Sequence, residues 1–283
     1  MINGDAGWLG SCSTIERELA AAVAAREAGA TGVVVHRGET QSVVRSTGDD
    51  AVGKALLEYC DSALYRTITR HVLRHVRSWP VDTSTPGVTM LFSIHRRPGM
   101  DAADFHHWWE QSHAPIALRH HVGMWDYAQV SVVDTLHGEA WDGFAVTQWP
   151  TLDDLMHRFS SGPEGTDALR HDAAQFTDPT TLRRHLLDEV VTVEQPWPSQ
   201  VRLPVGLARS AELPEGTEVA AQELPEGFSV EVRLTAGGRP RLDVLWRTDT
   251  TADSLDELSV RFDDVWRRLA EQIGFDAQAS SNS

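Results

Sequence analysis

The chain has 283 residues and a mass of 31.3 kDa, enough for two compact domains or for one domain with large extensions. Twenty-five Lys and Arg against 41 Asp and Glu leave a net charge of -16, which excludes a basic nucleic-acid face and disfavours anionic membrane surfaces. Hydrophobic residues make up 41%, enough for a sizeable core, and no apolar run reaches membrane-spanning length.

In chain order, Met1–Gly10 has no basic start and no long apolar stretch, which speaks against a secretory signal. Residues 13–30 read as a helix capped by Ser13 or Thr14, with Gly29 near its end. TGVVVHR at 31–37 and QSVVRS at 41–46 read as strands joined by a hairpin at Gly38-Glu39. From Asp49 to Trp79, the recurrence of Leu56, Leu64, Ile68, Val72 and Val76 predicts one long amphipathic helix. Pro80, Thr85, Pro86 and Gly87 then mark a linker.

A second stretch, 87–195, opens with strand 88–96 and a turn at Arg97-Pro98-Gly99. Asp101 starts a helix that Pro115 is expected to stop or kink near His113. Strands at 126–134 and 142–150, helices at 152–161 and 166–176, and a strand at 186–195 complete the run. The order β-α-β-β-α(α)-β predicts an α+β, ferredoxin-like unit, an antiparallel sheet backed by helices on one face. Pro196, Pro198 and Pro204 mark a second linker. Strands near 201–208, 227–235 and 241–247 follow, the last two joined at Gly237-Gly238. A final helix over about 253–273 carries the stripe Leu255, Leu258, Phe262, Val265 or Trp266, and Leu269. The tail DAQASSNS is polar and reads as disordered. The domains predicted are an α/β extension over 1–80, the ferredoxin-like unit over 87–195, and a strand-helix module over 201–275 that can pack with the first. Cys12 and Cys60 are too few for a disulfide framework or a zinc site and fit a reducing cytosol, so a cytoplasmic protein is expected.

Six of the 13 histidines lie between His95 and His121. On the helix after Asp101, Phe105, Trp109 and His113 recur at four-residue spacing and share a face, with His106 and Glu110 one step around. An imidazole at a helix end, beside an aromatic stripe, can take or give a proton near neutral pH. The same stripe is also what a helix face packed on a sheet requires, and a helix-end histidine also serves as a cap. His120-His121 has no third ligand at metal-site spacing, so no metal site is read. A haem axial ligand needs one histidine only and is compatible with any spacing.

The segment MDAADFHHWWEQSHAPI resembles the EthD-like family of the dimeric α+β barrel superfamily. Phe105, Trp108, Trp109, His113, Ala114 and Pro115 carry the likeness. Tyr127 with Gln129, Asp142-Gly143 with Trp149, the D-x-x-x-F-x-D run of Asp172, Phe176 and Asp178, and Glu194 support it. The resemblance covers about 110 residues of the 283. It implies a sheet that pairs with a second sheet to close a barrel, and small hydrophobic ligands bound between sheet and helices. Activities in the superfamily include cofactor-free monooxygenation, decarboxylation, dehydration, cyclisation and lactone isomerisation, and some relatives bind haem, so kinship alone does not choose the reaction. Val146 stands where the family pattern has an acid. A further resemblance joins RPRLDVLWRTDTTADSLDELSVRFDDVWRRLAEQ to the last strand and helix of a nonribosomal peptide synthetase condensation domain. The two-histidine, Asp-Gly motif of such domains is absent.

Two classes of function follow. The first is an enzyme that tailors an aromatic or polyketide-like compound by cofactor-free proton transfer, of the lyase or cyclase kind. His113 is then general acid/base, Tyr127 or His95 polarises an oxygen, and Asp142 sets the histidine's protonation. Phe92, His95, Phe105, His106, Trp109 and Gln129 line the pocket. No Rossmann glycine fingerprint and no P-loop occur, so no cofactor is expected. The second class is a ligand-binding or carrier-protein-docking scaffold; an enzyme predicts that His113 faces a cavity, a scaffold that it is packed or on the surface. A homodimer is the default, because one such sheet leaves a face to be covered. The alternative is that the flanks supply the second sheet within one chain.

Overall fold

The computed structural model describes residues 2, 4–77, 79–195, 205–215, 217, 228–234, 240–248 and 255–275. The proline linker at 196–204, the Gly237-Gly238 turn and the polar tail lie outside them. The chain is mixed α+β and forms two compact units. One is built from Met1–His71 and Val81–Pro196, the other from Val72–Pro80 and Trp197–Ser283.

The first unit begins β1 (Asp5–Cys12), α1 (Ile15–Glu27), β2 (Gly32–Arg37), β3 (Ser42–Thr47), α2 (Asp50–Leu57) and β4 (Ala63–His75), whose end from Val72 onward belongs to the second unit. It continues with β5 (Val88–Ile94), α3 (Ala102–Trp108), a π turn (Trp109–His113), α4 (Ala114–His120), β6 (Asp126–His137), β7 (Gly143–Trp149), α5 (Leu152–His157), α6 (Pro163–Phe176) and β8 (Arg183–Val193). The same order, β-α-β-β-α-β, thus occurs twice. The hydrogen-bonded sequence of strands is β1-β3-β2-β8-β5-β7-β6-β4, and β4 pairs back onto β1 with Gly10 opposite Leu64. The wall therefore closes on itself. A homodimer was expected because one sheet would lie open; here residues 5–71 supply the other half of the wall, and that ground for a dimer falls away.

Alternation of side chains sorts the wall into two faces. Leu9, Val43, Leu91, Ala128, Val130, Phe144, Val146 and Leu187 meet inside it. Trp8, Val33, Val35, Val44 and Val190 point outward and bury Ala21, Ala22 and Ala25 of α1 with Val52 and Leu56 of α2. Small alanines let α1 lie close to the strands. Its N-terminus is capped by Thr14, which accepts from Arg17 N, and α2 by Asp49, which accepts from Ala51 N. The fully buried Glu18 is matched by Arg37, whose Nη2 lies 2.8 Å from its carboxylate.

Two elements depart from the sequence reading. The long helix expected over 49–79 is α2 followed by β4. Leu64, Ile68 and Val72 are four apart, and four is near a helical turn but also an even number. A strand therefore puts the same residues on one face. The β-branched content of ALYRTITRHVLRH favours the strand, and Cys60-Asp61-Ser62 breaks the helix beforehand. β1 was not read at all, because six consecutive residues, Gly7 to Cys12, are buried and show no alternation.

The second unit holds β9 (Val205–Glu212), β10 (Phe228–Leu234), β11 (Pro240–Thr248) and α7 (Leu255–Ile273). β11 lies between β9 and β10, antiparallel to both, and Leu73–His75 of β4 run parallel to β9. Phe262, Val265, Trp266 and Leu269 of α7 close a core with Leu207, Leu242, Val244 and Trp246. No described helix is long and apolar enough to cross a membrane.

Candidate functional site

The segment after Asp101 is a helix in three parts. Asp101 caps it by accepting from Asp104 N at 2.8 Å. At Trp109 it widens into a π turn, and Ala114 N–H donates to the Trp109 carbonyl five residues back. Pro115 has no N–H to offer the carbonyl of Gln111, so the ladder must rearrange here. The chain widens where a stop or kink was expected, and the helix runs on to His120. His113 therefore sits inside a continuous helix and not at the helix end expected from Pro115.

The π turn presents His113 to α6. His113 Nδ1 lies 2.6 Å from Asp172 Oδ2, and Trp108 Nε1 donates to Asp172 Oδ1 at 3.0 Å. Both carboxylate oxygens are thus held, and the Asp172 side chain is 6% exposed against 15% for His113. One turn on, Phe176 packs its ring 5.0 Å from the imidazole. Phe105 and Trp109 also pack on Phe176, with centroids 5.6 and 6.5 Å away. His113 Nε2 has no partner among the described residues, and it is the nitrogen available to a proton or a ligand.

Beneath the turn lies a buried hydrogen-bond chain. Trp109 Nε1 donates to the Tyr127 hydroxyl at 3.0 Å. Gln129 Nε2 donates to the same hydroxyl at 3.1 Å and to the Trp109 carbonyl at 2.9 Å. Arg70 in turn donates to Gln129 Oε1 at 2.8 Å. Burial pushes the Tyr127 phenol up to about 12, so it stays neutral in the physiological range, although the bonds from Gln129 and Trp109 act the other way. Gly143 makes room for the indole: a Cβ there would stand 2.6 Å from Trp109 Cζ3. Phe105, Trp109 and Tyr127 are 0%, 1% and 2% exposed, so side chains fill the space between sheet and helices at this point, where Phe105 and Trp109 were expected to line a ligand pocket.

The remaining residues singled out from the sequence lie elsewhere in the unit. Asp142 does not reach His113. It accepts from Arg96 N at 2.9 Å, ion-pairs with the Arg96 guanidinium, and lies 3.8 Å from His95. The place expected for Asp142 is held by Asp172, which the sequence marked only as part of the D-x-x-x-F run. The signal was available, because Asp172 and Phe176 are four apart on α6 and share a face, as Trp109 and His113 do. His95 stacks on Trp141 with centroids 4.1 Å apart. Phe92 faces the helix side of β5, with the Arg184 guanidinium 5.9 Å over its ring. His106 Nδ1 lies 3.2 Å from Ser131 Oγ, and burial lowers its proton affinity. Val146 packs inside the wall, so that position offers no acid.

Residues 97–180 match the family model of the EthD domain, within the stretch where the sequence resemblance was read. No curated protein matches the chain. Among solved structures, it is similar to one from a crystal structure study of an anthrone oxidase-like protein. That match has a TM-score of 0.45 at 10% identity and covers 69% of this chain and 96% of the other. It is also similar to an aldoxime dehydratase crystallised with butyraldoxime, with a TM-score of 0.23 at 12% identity, over 66% of this chain and 79% of the other. Neither likeness bears on the chemistry.

Proposed function

We propose that this protein is a small-molecule tailoring enzyme that moves protons on an aromatic or polyketide-like substrate, as a dehydratase, cyclase or decarboxylase does. The observation that supports this reading most is the His113–Asp172 pair, with Asp172 anchored by Trp108 and His113 Nε2 left without a partner among the described residues. An ionised carboxylate at Nδ1 keeps the proton on that nitrogen and leaves the Nε2 lone pair as a base. In a dehydration, Nε2 takes the proton α to the substrate carbonyl. The imidazolium then returns it to the β-hydroxyl, which departs as water as the double bond forms. The C–H and C–O bonds broken are balanced by the new C=C and the water released.

Tyr127 enters as a positioning residue. It is fully buried, and its oxygen accepts from Trp109 and Gln129, so it fixes the π turn that aims His113. The aromatic shell of Phe105, Trp109 and Phe176 stiffens the same turn.

The test is a hydrogen–deuterium exchange assay that needs no complete turnover. The protein in D2O is incubated with a panel of aromatic β-hydroxy ketones and 1,3-diketones, and mass spectrometry follows deuterium at the α carbon. Catalysed exchange is expected, falling by about 10²–10⁴ in His113→Asn. Exchange that survives the substitution, or a Soret band on the purified protein that tracks His113, overturns the proposal. Native mass spectrometry of the same sample reports any retained ligand by mass.

A further inference from the structure

The inside of the closed wall offers a second place for a ligand, across β6 and β7 from His113. On β6 the residues alternate: Tyr127 and Gln129 bond Trp109 on the helix side, while Ala128 and Val130 belong to the inner core. At one end the interior opens into a cavity of about 410 Å³, within the size range of small-molecule sites. Leu9, Leu91, Tyr65, Phe144 and Trp141 form its apolar and aromatic walls. The β2–β3 hairpin and the start of β8 frame the opening.

Two serines interrupt these walls. Ser11 is 4% exposed, lines the cavity, and its hydroxyl has no hydrogen-bond partner among the described residues. Ser93, 5% exposed and on the same cavity, donates to no described residue. An unpaired buried hydroxyl is costly unless something supplies its partner. Some of the neighbouring polar groups are already engaged. The Tyr65 hydroxyl donates to the Glu139 carbonyl at 2.8 Å. Arg183 ion-pairs with Glu139 at 2.8 Å and lies over Trp141, while Arg184 lies over Phe92 on the outer face. Arg183 is thus partnered, Arg184 is turned to the outer face, and the Glu39 carboxylate lines the same opening, which favours a neutral ligand over a carboxylate or phosphate.

We propose that the open end of the interior is a second binding site. It takes a small neutral molecule with an aromatic body and one or two hydroxyl or carbonyl oxygens, held by Ser11 and Ser93. This site is separate from the His113–Asp172 pair and does not rest on the chemistry assigned there.

The probe is 2-naphthol, titrated into the full-length protein. Fluorine NMR of 5-fluorotryptophan-labelled protein is the readout, with the Trp141 resonance identified by its loss in Trp141→Phe. Saturable movement of the Trp141 signal is expected. Ser93→Phe, which fills the cavity, is expected to weaken binding at least tenfold. The double variant Ser11→Ala/Ser93→Ala leaves the walls intact and is expected to weaken it about fivefold. His113→Asn is expected to bind as the parent does. Three results would overturn the proposal: a Trp141 signal that does not move, unchanged affinity in the double serine variant, or binding lost in His113→Asn.

Discussion

His36 offers a quantitative test of how the wall is packed. It sits on β2 opposite Val43 of β3 and Glu189 of β8, is fully buried, and neither ring nitrogen has a hydrogen-bond partner among the described residues. Glu189 Oε2, 3.7 Å from Nδ1, favours a charged ring. Burial, helped by the buried Arg45 guanidinium, outweighs it and pushes the imidazole down to about 3. The unfolded chain carries an ordinary imidazole that protonates below about pH 6.5. As pH falls below that value, the unfolded state takes up a proton that the folded state refuses, so stability is lost on acidification. The loss continues until the folded ring itself protonates near pH 3. Between pH 8 and pH 5 the loss amounts to about 2 kcal/mol. The assay is urea unfolding at both pH values for the parent and for His36→Leu. The parent is expected to lose about 2 kcal/mol more than the variant. Equal losses in the two proteins, or a native His36 carbon resonance that titrates near pH 6.5, would refute the reasoning.

Other outcomes follow from the same contacts. Asp172→Asn is expected to keep the fold but cut catalysed exchange by about 10²–10⁴, because the amide no longer fixes the imidazole tautomer; its rate beside that of His113→Asn checks this. Gly143→Ala places a methyl 2.6 Å from Trp109 Cζ3 and 3.1 Å from the Val130 carbonyl. A stability loss of about 1–3 kcal/mol in thermal melts is expected. Cys12 and Cys60 are both fully buried, so a thiol reagent is expected to modify neither in the native protein and both in urea.

The helix from Asp101 and the strands around it were legible because their signals are local. An Asp cap, an aromatic four-residue repeat and a Pro each act within a turn or two. The pairing of β4 back onto β1 was not, since it depends on contacts between residues more than fifty apart and β4 shows a period that fits two structures. Within the candidate site, Phe105, Trp109 and His113 share the helix face that their four-residue spacing predicts, and Trp109 there meets Tyr127 and Gln129 of β6. Asp142 does not join them, because its Asp-Gly position at the mouth of β7 turns it to Arg96. Asp172 was overlooked as the partner of His113 because the two lie 59 residues apart, and the four-residue spacing of Asp172 and Phe176 marks a shared face without saying which helix it meets. The interior cavity was invisible for a related reason: Ser11, Tyr65, Ser93 and Trp141 share a surface only once the wall has closed.

That closure within one chain has a bearing on stoichiometry and on how the protein can change. In a barrel assembled from two identical subunits, every substitution is made twice and every pocket recurs by symmetry. Here the two β-α-β-β-α-β runs are written separately, and the π turn with its histidine and aspartate occurs in the second run. The first run is free to differ, and it does: its helices bury alanines and a Glu18–Arg37 pair against the strands. One half can thus keep a reactive group while the other is remodelled to shape what reaches it, and a chain divided between β4 and β5 offers two fragments whose reassembly in solution can be followed directly.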